Sequence, residues 1–176
     1  MHQATNKQQP IKIFTIGHGG LIFEAFLRRL QMYNIIALAD VRRFPASKRH
    51  PHFARTHLAA ALKENGITYS WLGEALGGYR TGGYEAYVKT NTFRLGCNEL
   101  TRLAQKQRLA FLCAELDFRG CHRRFIAAYL LSQGIEVWHI DKNGNLLAHA
   151  SAALEETMQI PFNTMDLDRG SNGLIK

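Results

Sequence analysis

At 176 residues, 46% of them hydrophobic, the chain is long enough for one well-buried core and too short for two comfortable domains. Its three cysteines (Cys97, Cys113 and Cys121) are too few and odd in number for a disulfide scaffold, and no run of about 18 apolar residues is present to span a membrane. With a polar start, MHQATNKQQP, that lacks a secretory apolar core, a soluble cytoplasmic protein with reduced thiols is expected; its net charge of +8 fits an anionic partner such as a nucleic acid, nucleotide or other phosphorylated ligand, and equally a merely soluble basic surface.

Residues 1–10 read as a disordered lead-in. The run Ile11 to Gly17, β-branched and closed by glycine, predicts a strand; Phe23, Phe26, Leu27 and Leu30 then recur at helical spacing. Ile35 to Asp40 is uniformly apolar up to its last residue, as a strand buried on both faces would be. After a basic loop, Thr56 can cap a helix carrying Leu58 and Leu62 on one face, with Asn65 and Gly66 as its stop. Ile67 to Leu72 is a third strand, and helical stretches follow at Tyr84 to Lys89 and Phe93 to Lys106. Arg108 to Glu115 is a fourth strand, Cys121 to Gln133 a helix with Phe125, Ile126, Tyr129 and Leu130 inward, and Ile135 to Ile140 a fifth strand. Beyond the 11–141 domain, residues 142–176 read as an extension, weakly helical from Leu146 to Met158 and frayed near SNGLIK. Strands alternating with helices predict an α/β, Rossmann-like three-layer sandwich with a mostly parallel sheet of about five strands.

Ligands of open parallel sheets sit at the carboxyl ends of the strands. The polar residues of this chain gather there: His18 after the first strand, Asp40 and Arg42 after the second, Glu74 after the third, Cys113 and Glu115 after the fourth, His139 and Asp141 after the fifth. They are expected to converge on one edge.

Several short motifs carry a resemblance: TIGH at Thr15 to His18, DVR at Asp40 to Arg42 followed by Pro45, His52 with Phe53, LGG at Leu76 to Gly78, and CAE with CHR at Cys113 to Glu115 and Cys121 to Arg123. Over residues 11 to 141 the chain resembles the domain-of-unknown-function 488 family. The resemblance implies an α/β domain whose paired cysteines suggest an enzyme, and it implies no substrate. The family pattern usually has Ser after the TIGH histidine, where this chain has Gly19.

The segment FLCAELDFRGCHRRF, Phe111 to Phe125, is the densest in chemistry and admits several readings. Cys113, Cys121 and His122 are ligand types that suit zinc, with His18 or His139 as a fourth ligand, although their spacing is not that of a standard structural site; no cofactor is otherwise expected. Cys113 and Arg119 stand in C-x5-R spacing, but Glu115 and Asp117 inside that loop would repel a phosphate. A rhodanese-like sulfur transfer would use Cys121, which precedes a helix and is followed by His122, Arg123 and Arg124. A carboxylate mechanism would use Glu115 and Asp40, with Arg42 and Arg123 holding an anion and both cysteines serving as packing.

Other segments bear on the ligand. Arg42 to Arg55 holds five Arg or Lys, two His and no acid, with Phe44 and Phe53 interleaved, as phosphate contact plus base stacking would require; a solvated loop anchored by its phenylalanines is the plainer alternative. Leu76 to Lys89 has four glycines around Arg80, then Tyr84 and Tyr87, and suits a lid. His50, His52, His57 and His149 read as surface, Trp71 and Trp138 as core, and Cys97 as packing. The expected function is an enzyme acting on a phosphorylated or nucleic-acid-derived substrate. Catalytic candidates are Glu115, Cys121, Cys113 and Asp40; substrate-binding candidates are His18, Arg42, Arg80, Tyr84, His122 and Arg123. The alternatives are a non-catalytic nucleic-acid-binding module built on the Arg42 to Arg55 arm and a rhodanese-like thiol enzyme.

Overall fold

Six strands form one sheet in the order β3-β2-β4-β1-β5-β6 in the computed structural model, which describes residues 10–46 and 48–150. The strands are β1 (Lys12–Gly17), β2 (Ala37–Asp40), β3 (Thr68–Trp71), β4 (Leu109–Cys113), β5 (Glu136–Ile140) and β6 (Leu146–Ala148). The first five pair in parallel; β6 pairs antiparallel with β5. The helices are α1 (Phe23–Met32), α2 (Arg55–Glu64), the one-turn α3 (Gly73–Leu76) and α4 (Tyr84–Tyr87), α5 (Asn91–Lys106) and α6 (Arg123–Ser132). The architecture is α/β and consistent with a Rossmann-like sandwich.

The pleat divides the core in two. Ile13, Ala39, Phe111 and Val137 join Phe93, Leu100, Ile126 and Leu130 on one face, under α5 and α6. Phe14, Leu38, Leu112 and Ile140 join Phe26, Leu30, Leu58 and Leu62 on the other, under α1 and α2. A period of two along each strand sends neighbours to opposite faces, so Leu112 and Cys113 belong to different cores.

Several local expectations change. The second helix starts at Arg55 with Ala54 at its cap and no side-chain cap bond, so Thr56 lies within its first turn. The sixth helix starts at Arg123, not Cys121, and Phe125 is only half-buried. Leu146–Ala148 is a strand where helix was expected, because Asp141 closes a turn: its amide donates to Asn145 O and its carboxylate accepts from the amides of Asn143 and Asn145. Most of the expected disordered lead-in (residues 1–9), the rest of the Leu146 to Met158 segment from residue 151 on, and the frayed end at SNGLIK lie outside the described residues.

The chain leaves β2 toward the α2 face and leaves β4 toward the α6 face, and these strands are neighbours. Their diverging exits open a crevice at the carboxyl edge, the position where open parallel sheets bind ligands.

Candidate active site

A cavity of about 470 Å³ occupies that crevice, lined by Arg42, Arg43 and Phe44 after β2 and by Cys113, Ala114 and Glu115 after β4. Gly78, Tyr79, Tyr84, Gly120 to His122, Arg124 and Phe125 complete the lining.

The floor is built from three side chains. Cys113 ends β4 on the α6 face, while Cys121 and His122 come from the turn before α6. The two sulfurs and a ring nitrogen lie within 4.8 Å of one another, with Nδ1 of His122 3.7 Å from Cys113 Sγ and 3.6 Å from Cys121 Sγ. The other nitrogen, Nε2, is 3.2 Å from Val41 O. A carbonyl only accepts, so Nε2 carries a hydrogen, and Nδ1 faces the two sulfurs. Tyr84, its hydroxyl donating to Leu76 O at 2.7 Å, packs its ring 5.3 Å from the imidazole and limits its rotation.

The thiols are inequivalent. Cys121 is held well below the ordinary thiol range, first by a hydrogen bond from the Cys113 thiol and then by His122 and the nearby Arg123 cation, against the opposing effect of burial. Cys113 is pushed up by donating to Cys121, by burial and by its partner's negative charge. The two thiols are therefore coupled, with thiolate character favoured at Cys121 over Cys113. Cys97, in the core under α5, is pushed up to about 12 by burial alone.

This arrangement places the DVR, LGG, CAE and CHR segments around one crevice. A family model, Domain of unknown function DUF488, matches residues 23–130. The chain belongs to this family. No curated protein and no solved structure matches it.

In this DUF488 domain the expected site residues separate into three groups. Cys113, Glu115, Cys121, His122, Arg42 and Tyr84 line the cavity, and Glu115 is the one carboxylate of that lining. Asp40 and His18 reach the same edge on the opposite face. Asp40, wholly buried, accepts from Arg42 Nε at 2.9 Å and Nη2 at 2.6 Å, from the Arg42 amide, and from Tyr69 at 2.7 Å, so its oxygens are committed to orienting Arg42. His18 stacks on Phe53 at 4.2 Å, with Gly20 N–H and Arg42 Nη1 each presenting a donor at 3.3 Å. Burial, then the Arg42 charge, lower its pKa to about 3 and keep it neutral.

Arg123 and Arg80 act on the protein rather than on the cavity. Arg123 is wholly buried and donates to Thr15 Oγ1 at 3.1 Å and to the carbonyls of Glu115 and Leu116, tying the loop after β4 onto the sheet. No carboxylate pairs with it among the described residues, and its Nε has no partner there. Arg80 donates to Gly77 O and Glu74 O and lies 3.9 Å over Tyr87, which closes the glycine-rich segment on itself. Arg119 turns to Asp117 and solvent, away from the C-x5-R geometry.

Three features exceeded what the motifs indicate. Tyr69 completes the Asp40 shell from β3. Thr15 Oγ1 accepts from Arg123 and lies 2.8 Å from His139 Nδ1; the other ring nitrogen, His139 Nε2, lies 3.1 Å from His149 Nδ1, and the His139 ring stacks on Phe118 at 3.5 Å. His149, expected at the surface, is half-buried against His139, and Trp71 and Trp138, expected in the core, are half-buried beside Arg55 and Lys12. Third, Gly17 and Gly19 leave room for the loop after β4: a Cβ on Gly17 would overlap Glu115 O, and one on Gly19 the Leu116 side chain. With φ at +48°, position 19 favours glycine over the serine usual in the family pattern.

Proposed function

We propose that this DUF488 domain is an enzyme acting on a small phosphorylated or nucleic-acid-derived anion held in the crevice between β2 and β4. The observation that carries the reading is the meeting, in one cavity, of a Cys113/Cys121/His122 floor with the cations Arg43 and Arg124 and the Asp40-oriented Arg42. A volume of about 470 Å³ lies within the usual range for small-ligand sites. Phe44, 71% exposed, and Tyr79, 91% exposed, flank it as faces on which a base can stack. Arg43 and Arg124 bind the anion, the floor supplies the reacting centre, and Glu115 carries protons.

A polymer-binding module has weaker support. Of the two phenylalanines interleaved in the Arg42 to Arg55 arm, Phe53 is wholly buried, which leaves Phe44 alone for stacking.

Calorimetric titration with nucleoside monophosphates and sugar phosphates, beside their dephosphorylated counterparts, tests the reading. Phosphorylated compounds should bind, and Arg43→Glu with Arg124→Glu should weaken them at least about tenfold. Equal binding of the dephosphorylated compounds, or none of either, would overturn it. Turnover of a bound compound should disappear in Cys121→Ser.

A further inference from the structure

We infer that Cys113, Cys121 and His122 form a zinc site whose fourth position opens into the cavity. The inference deepens the reading above by assigning the chemistry of the cavity floor, and its test requires no substrate.

Three independent features support it. The first is distance. A tetrahedral zinc ion with Zn–S of about 2.3 Å and Zn–N of about 2.0–2.1 Å sets sulfur and nitrogen ligands about 3.6 Å apart. The two sulfur–nitrogen separations are 3.7 and 3.6 Å. The second is the outer partner. A metal-bound imidazole ordinarily donates its other N–H to a carbonyl or carboxylate, which fixes the tautomer and aims the lone pair. His122 Nε2 donates to Val41 O, leaving Nδ1 to the sulfurs. The third is the open side. A structural zinc site closes with four protein ligands, whereas a catalytic one keeps three and an exchangeable position. His18 and His139, the fourth ligands considered from sequence, are engaged elsewhere, His18 against Phe53 and Arg42, His139 between Thr15 and His149. Across from His122, Gly78 carries no side chain; a Cβ there would stand 3.1 Å from Nδ1. The space beside the ligand atoms is thus kept clear on the cavity side.

Binding releases the protons held by the thiols to solvent and leaves a neutral Zn(S)₂N unit able to polarise a substrate oxygen or bind a water. The linear spacing hides this site because the two cysteines, eight positions apart, meet only through the loop after β4, which packs over Gly17 and Gly19 before turning back into α6.

The test uses the full chain, reduced and stripped with chelator, titrated with zinc chloride and separately with cobalt(II) chloride. One zinc per chain is expected. The cobalt form should show sulfur-to-metal charge-transfer absorption and the intense visible bands of a tetrahedral centre. The Cys113→Ser/Cys121→Ser double variant should lose zinc affinity by more than about 100-fold, while Cys97→Ser retains it. If the double variant does not fold, alkylation of the wild type decides: zinc should protect Cys113 and Cys121 from iodoacetamide. Absence of stoichiometric zinc uptake, a cobalt spectrum without sulfur charge transfer, unprotected thiols or a double variant that still binds would each overturn the site. Phosphate-ligand binding to the metal-free protein is a separate measurement, so failure of the zinc site and failure of the anion site are told apart.

Discussion

His122 donates its Nε2 hydrogen to the carbonyl of Val41, 3.2 Å away, and so joins the turn before α6 to the end of β2 across the crevice. Val41 itself is wholly buried, so this carbonyl depends on the imidazole as its side-chain donor. His122→Phe keeps a ring beside Tyr84 but removes the donor. Its expected cost is about 1–3 kcal/mol in urea denaturation, the range for a buried group left unsatisfied. A smaller cost than His122→Ala would show that packing accounts for the remainder.

Asp40 and Arg42 form a bidentate pair with almost no solvent access. Breaking such a pair leaves a buried charge alone, so Asp40→Asn should destabilise the fold by about 3 kcal/mol or more. Adding Arg42→Met should recover part of that loss, because it removes the stranded cation. Both are read as shifts in denaturation midpoint, and a double variant no more stable than Asp40→Asn would contradict the assignment.

Two glycines separate stability from occupancy. At Gly17 a Cβ would meet the backbone of Glu115, which cannot yield cheaply, so Gly17→Ala should impair folding. At Gly78 the added atom faces Nδ1 of His122 at 3.1 Å, beside the cavity. Gly78→Ala should change stability by less than about 1 kcal/mol and weaken any ligand or ion at the floor by at least about tenfold. Calorimetry on the two variants distinguishes these outcomes.

Stability should fall with acid in a defined window. His139 is pushed down to about 2, by burial first and then by the charges of His149, Arg123 and Arg119; His18 is pushed down to about 3, by burial, Arg42, His50 and His52. Below the unfolded pKa of about 6.5, the unfolded chain takes up protons at these positions and the fold does not. Each histidine therefore costs about 1.4 kcal/mol per pH unit below that value and nothing above it. Urea midpoints at pH 7.5, 6.5 and 5.5 should show the break, and His139→Gln should reduce the slope of the lower limb.

The α/β alternation and the crowding of polar residues at strand ends are legible in the sequence, because hydrophobic period and turn residues act locally. The sheet from β1 to β5, the burial of Cys97 and the chemical density of Phe111 to Phe125 follow from that reading. Local patterns could not order the strands, and strand order alone makes β2 and β4 neighbours with diverging exits. Nor could they assign faces: Asp40 and Cys113 both end strands, yet the pleat sends one to Arg42 and Tyr69 and the other to Cys121 and His122. Arg123 and Arg80 look in sequence like ligand-binding cations, but the backbone carbonyls that capture them lie in turns whose course is set only once the helices pack. The sequence by itself determined which chemical groups stand at the edge of the sheet; tertiary structure decided which of them meet, because the distances that matter are closed by strand pairing and crossovers rather than by spacing along the chain.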